Sequence, residues 1–276
     1  LKIKALLSEG KKTIDRELNR CLPKKGKLAK AMRYSVFAGG KRFRPILCLA
    51  TAEALGMKPE KVLPFACAVE LVHTFTLIHD DLPAMDNSDF RRGKPTCHKV
   101  FGEAIAILAG DALNTIAFKV ISAYPEAARE LSGALLEVVV GQAADLEAAG
   151  KRLSLKQLRN IHLWKTAALL KACVRGTAFI CNASSLKVKV LTAYAEHLGL
   201  AFQITDDILD ATSSQKKLGK PVKADIGKGF PYLVGLEKSK KLAEEEKNKA
   251  IAALSSFDEK AALLREIASY VVKRGF

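Results

Sequence analysis

The sequence predicts an all-α fold: a single large helical bundle around a central cavity, one domain over residues 1–276. Three observations predict it. Apolar residues recur at three- and four-residue spacing along nearly the whole chain, among Ala, Leu, Lys and Glu. Glycines and prolines fall between the periodic stretches, and long alternating strand patterns are lacking. At 49% hydrophobic residues the chain can bury a sizeable core, and no Ser/Gly linker divides it. Periodicity places helices over 3–20, 27–38, 45–56, 60–82, 102–122, 126–148, 154–183, 187–211, 231–254 and 258–274. The breakers are Pro23, Gly39-Gly40, Gly93 with Pro95, Pro125, Gly150 and the stretch from Gly219 to Pro231.

The net charge of +16 is uneven. Residues 1–45 carry +11, residues 46–211 carry −1 and residues 212–276 carry +6. The lysines are dispersed at helical spacing with few aromatics among them. That pattern reads as a solvated basic surface suited to anionic substrates, not as a nucleic-acid interface. Six cysteines, none in a C-x-x-C pair, read as reduced core thiols instead of a zinc or disulfide framework. No apolar run approaches the roughly 20 residues that span a bilayer, and no export signal is visible. The expectation is a soluble cytoplasmic enzyme without a transmembrane segment.

Two segments concentrate acid in apolar surroundings. The first, Leu77 to Asp86, holds Asp80, Asp81 and Asp86 after an apolar helix. Six residues would separate Asp80 and Asp86 on an unbroken helix. Pro83 is expected to break it and let the chain bring Asp86 back towards Asp80. Carboxylates at a helix C-terminus are electrostatically unfavourable, so a divalent cation is the natural compensation. The second segment, Phe202 to Asp210, holds Asp206, Asp207 and Asp210. Asp206 and Asp210 are i and i+4 and share a helix face. Two such motifs in one helical chain point to metals held between facing helices. Basic residues accompany them: Lys41 and Arg44 in a Gly-Gly loop entering a helix, Arg91 and Arg92 after the first motif, then Lys165 beside Thr166, Lys220 and Lys228. Together they can neutralise two diphosphates, one on metals and one on Arg and Lys forks.

With G-G-K-R-F-R-P at 39–45, H-D-D-L-P-A-M-D at 79–86, R-R-G-K-P-T at 91–96, F-G-E…L-A-G-D-A-L at 101–113, G-Q-A-A-D-L at 141–146, K-T-A-A-L at 165–169 and F-Q-I-T-D-D-I-L-D at 202–210, the chain resembles the trans-isoprenyl diphosphate synthases. Its likeness is greatest to bacterial-type farnesyl diphosphate synthases, with geranylgeranyl synthases next. The resemblance implies an all-α homodimer of isoprenoid synthase type with a deep apolar cavity beneath magnesium, three ions with substrate bound, manganese being an alternative. It implies that Asp80, Asp86 and Asp206 bind metal, with Asp81, Asp207 and Asp210 supporting or ligating. Lys41, Arg44, His73 and Arg92 would hold isopentenyl diphosphate. Arg91, Lys165, Thr166, Gln203, Lys220 and Lys228 would hold the allylic diphosphate. Asp80, Asp81, Asp86, Arg91, Lys165 and Asp206 form the implied catalytic set.

The implied reaction ionises the allylic diphosphate, condenses the cation with isopentenyl diphosphate and eliminates a proton. Phe75, with Thr76 beside it, lies about 7.5 Å down the helix from Asp80. An aromatic at this depth is expected to floor the cavity and favour a fifteen-carbon product. The alternatives are a geranylgeranyl synthase and a class I terpene cyclase; the all-aspartate second motif and the second diphosphate site at Lys41 and Arg44 favour elongation. A non-catalytic subunit would lack one motif, and both are present. One departure stands out: from Pro221 to Pro231 the chain is about three residues shorter than the family pattern, with Gly229 in place of Thr.

Overall fold

The computed structural model describes residues 2–217 and 229–274, with side chains over 8–212 and 229–274. They form two compact units. One comprises Leu1–Leu49 and Lys58–Ala128, the other Ala50–Met57 and Arg129–Phe276.

The first unit holds α1 (Lys2–Cys21), α2 (Lys27–Val36), the start of α3 (Phe43–Ala54), α4 (Leu63–Asp80), α5 (Cys97–Phe101) and α6 (Glu103–Val120). Its centre is α4, which packs against α1, α2 and α6. Phe65, Val69, Leu71, Val72 and Ile78 of α4 are all buried, and so is Glu70. A helix covered on several sides has no polar face to show, which is why this segment is apolar nearly all round. From Pro59 to Asp80 the chain is apolar enough, and at 22 residues long enough, to cross a membrane, and most of its apolar part is buried in the fold. This corrects the expectation that no run is so apolar; burial of α4 in a protein core accounts for it. The two-stranded hairpin β1 (Phe90–Arg91) and β2 (Lys94–Pro95) follows α4, with Arg91 paired to Lys94. Neither the hairpin nor α5 was signalled by periodicity, since each is too short to show one.

The second unit holds α7 (Pro125–Glu147, entered from the first unit), α8 (Leu155–His162), a π-helical turn (Leu163–Ala167), α9 (Ala168–Ile180), α10 (Ser185–Lys217), α11 (Phe230–Val234), α12 (Leu236–Ala253) and α13 (Ala262–Lys273). Pro125 opens α7 at a position where its missing N–H costs nothing. Ser154 and Gln157 close a capping box that starts α8. The central helix is α10, about 50 Å long at 1.5 Å per residue; α9, α12 and α13 pack on it. Tyr194 is buried at its heart and donates to the Leu264 carbonyl at 2.8 Å.

Each predicted helix has a counterpart. The expected helix 154–183 is interrupted by the π turn, and 231–254 is split at Gly235. No disulfide joins the cysteines, and Cys48, Cys67, Cys97 and Cys173 are buried. Each unit is therefore built around one helix, and each of those two helices carries one aspartate motif.

Candidate active site

In the first unit α4 ends at Asp80, and the following turn folds back. The Asp86 N–H donates to the Asp80 carbonyl at 2.9 Å, and Ser88 N–H to the Asp81 carbonyl at 3.2 Å. The break expected near Pro83 thus returns Asp86 to Asp80. Asn87 takes a left-handed φ of 48° to complete the turn. Asp81 is buried and grips Arg91: Nε donates to both carboxylate oxygens at 2.9 and 2.8 Å, and Nη2 donates to Oδ1 at 2.7 Å. This fork fixes the guanidinium beside the turn. Burial works against the Arg91 charge, but the Asp81 bonds and the nearby Asp80 and Asp86 carboxylates hold its pKa above the usual value.

Other basic groups gather around His73, about two helical turns before Asp80. Arg44 lies 3.2 Å from His73, Nη1 to Nε2. A guanidinium only donates, so Nε2 accepts and the imidazole is neutral. Burial, then Arg44, Arg92, Arg91 and Arg42, keep His73 well below its ordinary pKa. Arg92 donates to the Gly39 carbonyl at 2.5 Å. A Cβ on Gly40 would stand 2.8 Å from Arg92 Nη1, and Gly40 has φ 115°, so only glycine suits both demands. Burial lowers the Arg92 pKa; Glu70 opposes this, and the charges of Arg42, Arg91 and Arg44 add to it. Arginines held this close can attract an anion. Lys41 is exposed on the same loop, and a small cleft is lined by Tyr34, Thr74, Asp81, Arg91 and Arg92, among others.

Arg42, between Lys41 and Arg44 in sequence, serves the fold. It is 2% exposed, and its guanidinium donates to Asp15 at 2.7 Å, Glu70 at 2.8 Å and the Val36 carbonyl at 2.7 Å. It thereby ties α1, α2 and α4 to the loop between Lys41 and Arg44. Its φ of 52°, like the 53° of Arg92, lies in the left-handed region. Such conformations persist where surrounding bonds over-determine them. Phe75 and Thr76 lie half-buried on α4, and the Thr76 hydroxyl donates to the His73 carbonyl at 2.9 Å.

In the second unit the π turn carries Lys165 and Thr166. A π turn re-aims side chains inside a helix and recurs at functional sites. Lys165 Nζ donates to Asp145 of α7 at 2.8 Å. The Thr166 hydroxyl donates to Gln203 Oε1 at 2.7 Å, and Gln203 Nε2 donates to Asp207 at 3.0 Å. Asp207 also accepts from the Phe230 N–H at 3.0 Å and lies 3.1 Å from His162 Nε2. Asp206 pairs with Arg274 at 2.8 Å, and Asp210 is exposed one turn on. The second unit thus brings Lys165, Thr166, Gln203 and the second motif together. Asp145 and His162 were missed, although Asp145 lies in a quoted motif and His162 three residues before Lys165. Gly229 stands against Asp207, where a Cβ would lie 3.1 Å from the carboxylate carbon at φ 106°. That is the physical reason for glycine in place of threonine. Lys220 and Lys228 lie outside the described residues.

The donors suit magnesium. They are carboxylate oxygens, without thiolates, at an exposed turn and on an accessible helix face. Among the described residues no three His, Cys, Asp or Glu side chains cluster into a cage. Magnesium takes one or two carboxylates and completes its shell with water and phosphate oxygens.

An all-helical fold, two aspartate motifs and anion-seeking arginines define a class of protein that handles metal-bound diphosphates. The chain belongs to the polyprenyl synthetase family, whose model matches residues 25–271. That family generally uses magnesium. The chain is 46% identical over 258 residues to the farnesyl diphosphate synthase of Geobacillus stearothermophilus, covering 87% of each. It is 44% identical over 262 residues to a chloroplastic geranylgeranyl pyrophosphate synthase of Capsicum annuum, covering 88% of this chain and 70% of that one. The apo crystal structure of an FPP/GFPP synthase from Zymomonas mobilis superposes with a TM-score of 0.86 at 38% identity, over 98% of this chain and 99% of that one.

Proposed function

We propose that the chain is a trans-prenyltransferase that condenses isopentenyl diphosphate with dimethylallyl or geranyl diphosphate to form (2E,6E)-farnesyl diphosphate. The observation that carries this reading is the arginine cluster around a neutral His73, set beside the carboxylate turn of Asp80 and Asp86. Like charges gather in each set, and a diphosphate with its cations would answer both. The family match across residues 25–271 supports treating the whole chain as one polyprenyl synthase domain.

Asp80, Asp86, Asp206 and Asp210 would hold magnesium, with three ions when substrate is bound. Magnesium, when bound, supplies Lewis-acid charge to the leaving diphosphate. Asp81 acts through the Arg91 that it orients. Arg91, Lys165, Thr166 and Gln203 hold the allylic diphosphate and stabilise its departing charge. Lys41, Arg44, His73 and Arg92 hold isopentenyl diphosphate, with His73 a neutral hydrogen-bonding partner. The apolar surroundings keep water from the allylic cation. Phe75 and Thr76 floor the cavity.

A homodimer fits the exposed apolar faces: Ile107 and Leu108 on α6, and Leu136, Val139 and Val140 on α7. Glu70, buried in α4 and bound to Arg42, marks that helix as core, consistent with a soluble cytoplasmic enzyme. Geranylgeranyl diphosphate is the second reading of the product, favoured by the 44% identity to the Capsicum enzyme. Incubation with isopentenyl diphosphate, magnesium and either dimethylallyl or geranyl diphosphate, followed by product chromatography, tests both. A fifteen-carbon product is expected; absence of any prenyl product with either allylic primer overturns the assignment.

A further inference from the structure

His79 opens the His-Asp-Asp run of the first aspartate motif and has no role in the scheme above. It shares a face of α4 with Phe75, four residues earlier. Their rings meet edge to face, with centroids 5.2 Å apart and planes at 89°. The far side of the imidazole is held by α6. Nε2 lies 3.1 Å from the Ile107 carbonyl, which only accepts, so Nε2 carries the hydrogen and donates. The Asp111 carboxylate stands 3.9 Å from the same nitrogen. The ring also fills a notch: a Cβ on Gly110 would come within 2.2 Å of Nε2 and 2.5 Å of Cδ2. A hydrogen bond, a glycine notch and an aromatic contact thus fix the imidazole on three sides.

We propose that His79 is a positioning residue for product length: keyed into α6 at Gly110, it holds the Phe75 ring in the orientation that stops chain growth. This rests on the reading of the chain as an elongating prenyltransferase with Phe75 at the cavity floor. A phenyl side chain turns about two bonds, and on this helix face the imidazole is the group in ring contact with it. Without that contact the ring can swing aside and admit another five-carbon unit. Asp80 and the basic cluster are untouched by the change, so rate and length should separate.

The test compares purified full-length variants with isopentenyl and geranyl diphosphates and magnesium, reading both total turnover and product distribution. His79→Ala and Gly110→Ala should raise the ratio of twenty-carbon to fifteen-carbon product roughly two- to tenfold, the worth of one aromatic contact. His79→Gln, which keeps a donor without a ring, should lengthen products. His79→Phe, which keeps a ring without the donor, should not. Phe75→Ala should lengthen them most, and adding His79→Ala to it should change nothing further. Thermal melts identify a variant that has lost its fold, and the Gln and Gly110 variants then decide. Wild-type distributions in His79→Ala and Gly110→Ala beside a lengthened Phe75→Ala overturn the proposal and leave the floor reading standing. A further shift in the double variant also overturns it, because His79 then acts independently of Phe75. Unchanged products in Phe75→Ala remove the floor reading and this proposal with it.

Discussion

The two aspartate motifs reach similar chemistry by opposite means. On α10, Asp206 and Asp210 share a face because an α-helix repeats every 3.6 residues, and the helix runs on unbroken beneath them. Around α4, Asp86 meets Asp80 only because the helix stops and the backbone returns on itself through a 2.9 Å hydrogen bond. The middle aspartates differ in partner but agree in kind. Asp81 is occupied by Arg91, and Asp207 by Gln203, His162 and the Phe230 amide. In both motifs, then, the middle carboxylate orders its neighbours, and the outer ones are those proposed to hold metal.

The largest test of that division is catalytic. Asp80→Asn, Asp86→Asn and Asp206→Asn should each lower kcat on the order of a thousandfold, the scale for losing a group that stabilises transition-state charge. Asp81→Asn should act through Arg91 instead, raising the KM for the allylic substrate with a smaller loss in kcat. Steady-state kinetics in both substrates separates the two patterns. Equal losses at outer and middle positions would erase the distinction.

The next test concerns stability and sets Arg42 against its counterpart, Asp207. Removing one partner of a buried ion pair costs about 3–5 kcal/mol because the other charge is left uncompensated. Arg42→Ala strands Glu70, which is 2% exposed and already has one carboxylate oxygen, Oε2, without a hydrogen bond. Denaturant unfolding should show that loss, and the KM for isopentenyl diphosphate should rise as the loop of Lys41 and Arg44 loosens. Asp207→Ala removes a carboxylate whose partners are the neutral Gln203 amide, the Phe230 amide and His162, and should cost about 1–3 kcal/mol. A larger loss from Asp207 than from Arg42 would reverse the ranking.

The same contrast explains what the sequence made legible. Helices long enough to repeat their apolar pattern are readable, and so is the i,i+4 pair on α10. The break before Asp86 is readable from Pro83, because proline's effect is local. The three-way grip of Arg42 is not, since Asp15, Val36 and Glu70 come together only through packing. Nor is the π turn: Leu163 to Ala167 reads as ordinary helix, and only its neighbours disclose the distortion. Gly141 and Gly199 are those neighbours. A Cβ on Gly141 would lie 2.5 Å from the Lys165 backbone nitrogen, and one on Gly199 2.3 Å from the Ala167 Cβ. Gly141→Ala should therefore cost about 1–3 kcal/mol by overpacking and, by shifting Lys165 and Thr166, reduce turnover as much as a hundredfold. Unfolding curves and kcat measured together would show a stability cost alone if the π turn has no part in catalysis.

The smallest expected effect is a pH dependence that belongs to the first unit. His73 has a folded pKa well below its ordinary value of 6.5, from burial first and then from Arg44, Arg92, Arg91 and Arg42. Below pH 6.5 the unfolded chain takes up a proton on this imidazole that the folded chain refuses. Stability from His73 is therefore complete above pH 6.5 and declines as pH falls towards the depressed value. Denaturant midpoints measured downward from pH 7 should fall, and His73→Gln, which keeps an acceptor for Arg44 but cannot titrate, should flatten the slope. An unchanged slope in that variant would mean that neither burial nor the neighbouring arginines depress the His73 pKa in the folded chain.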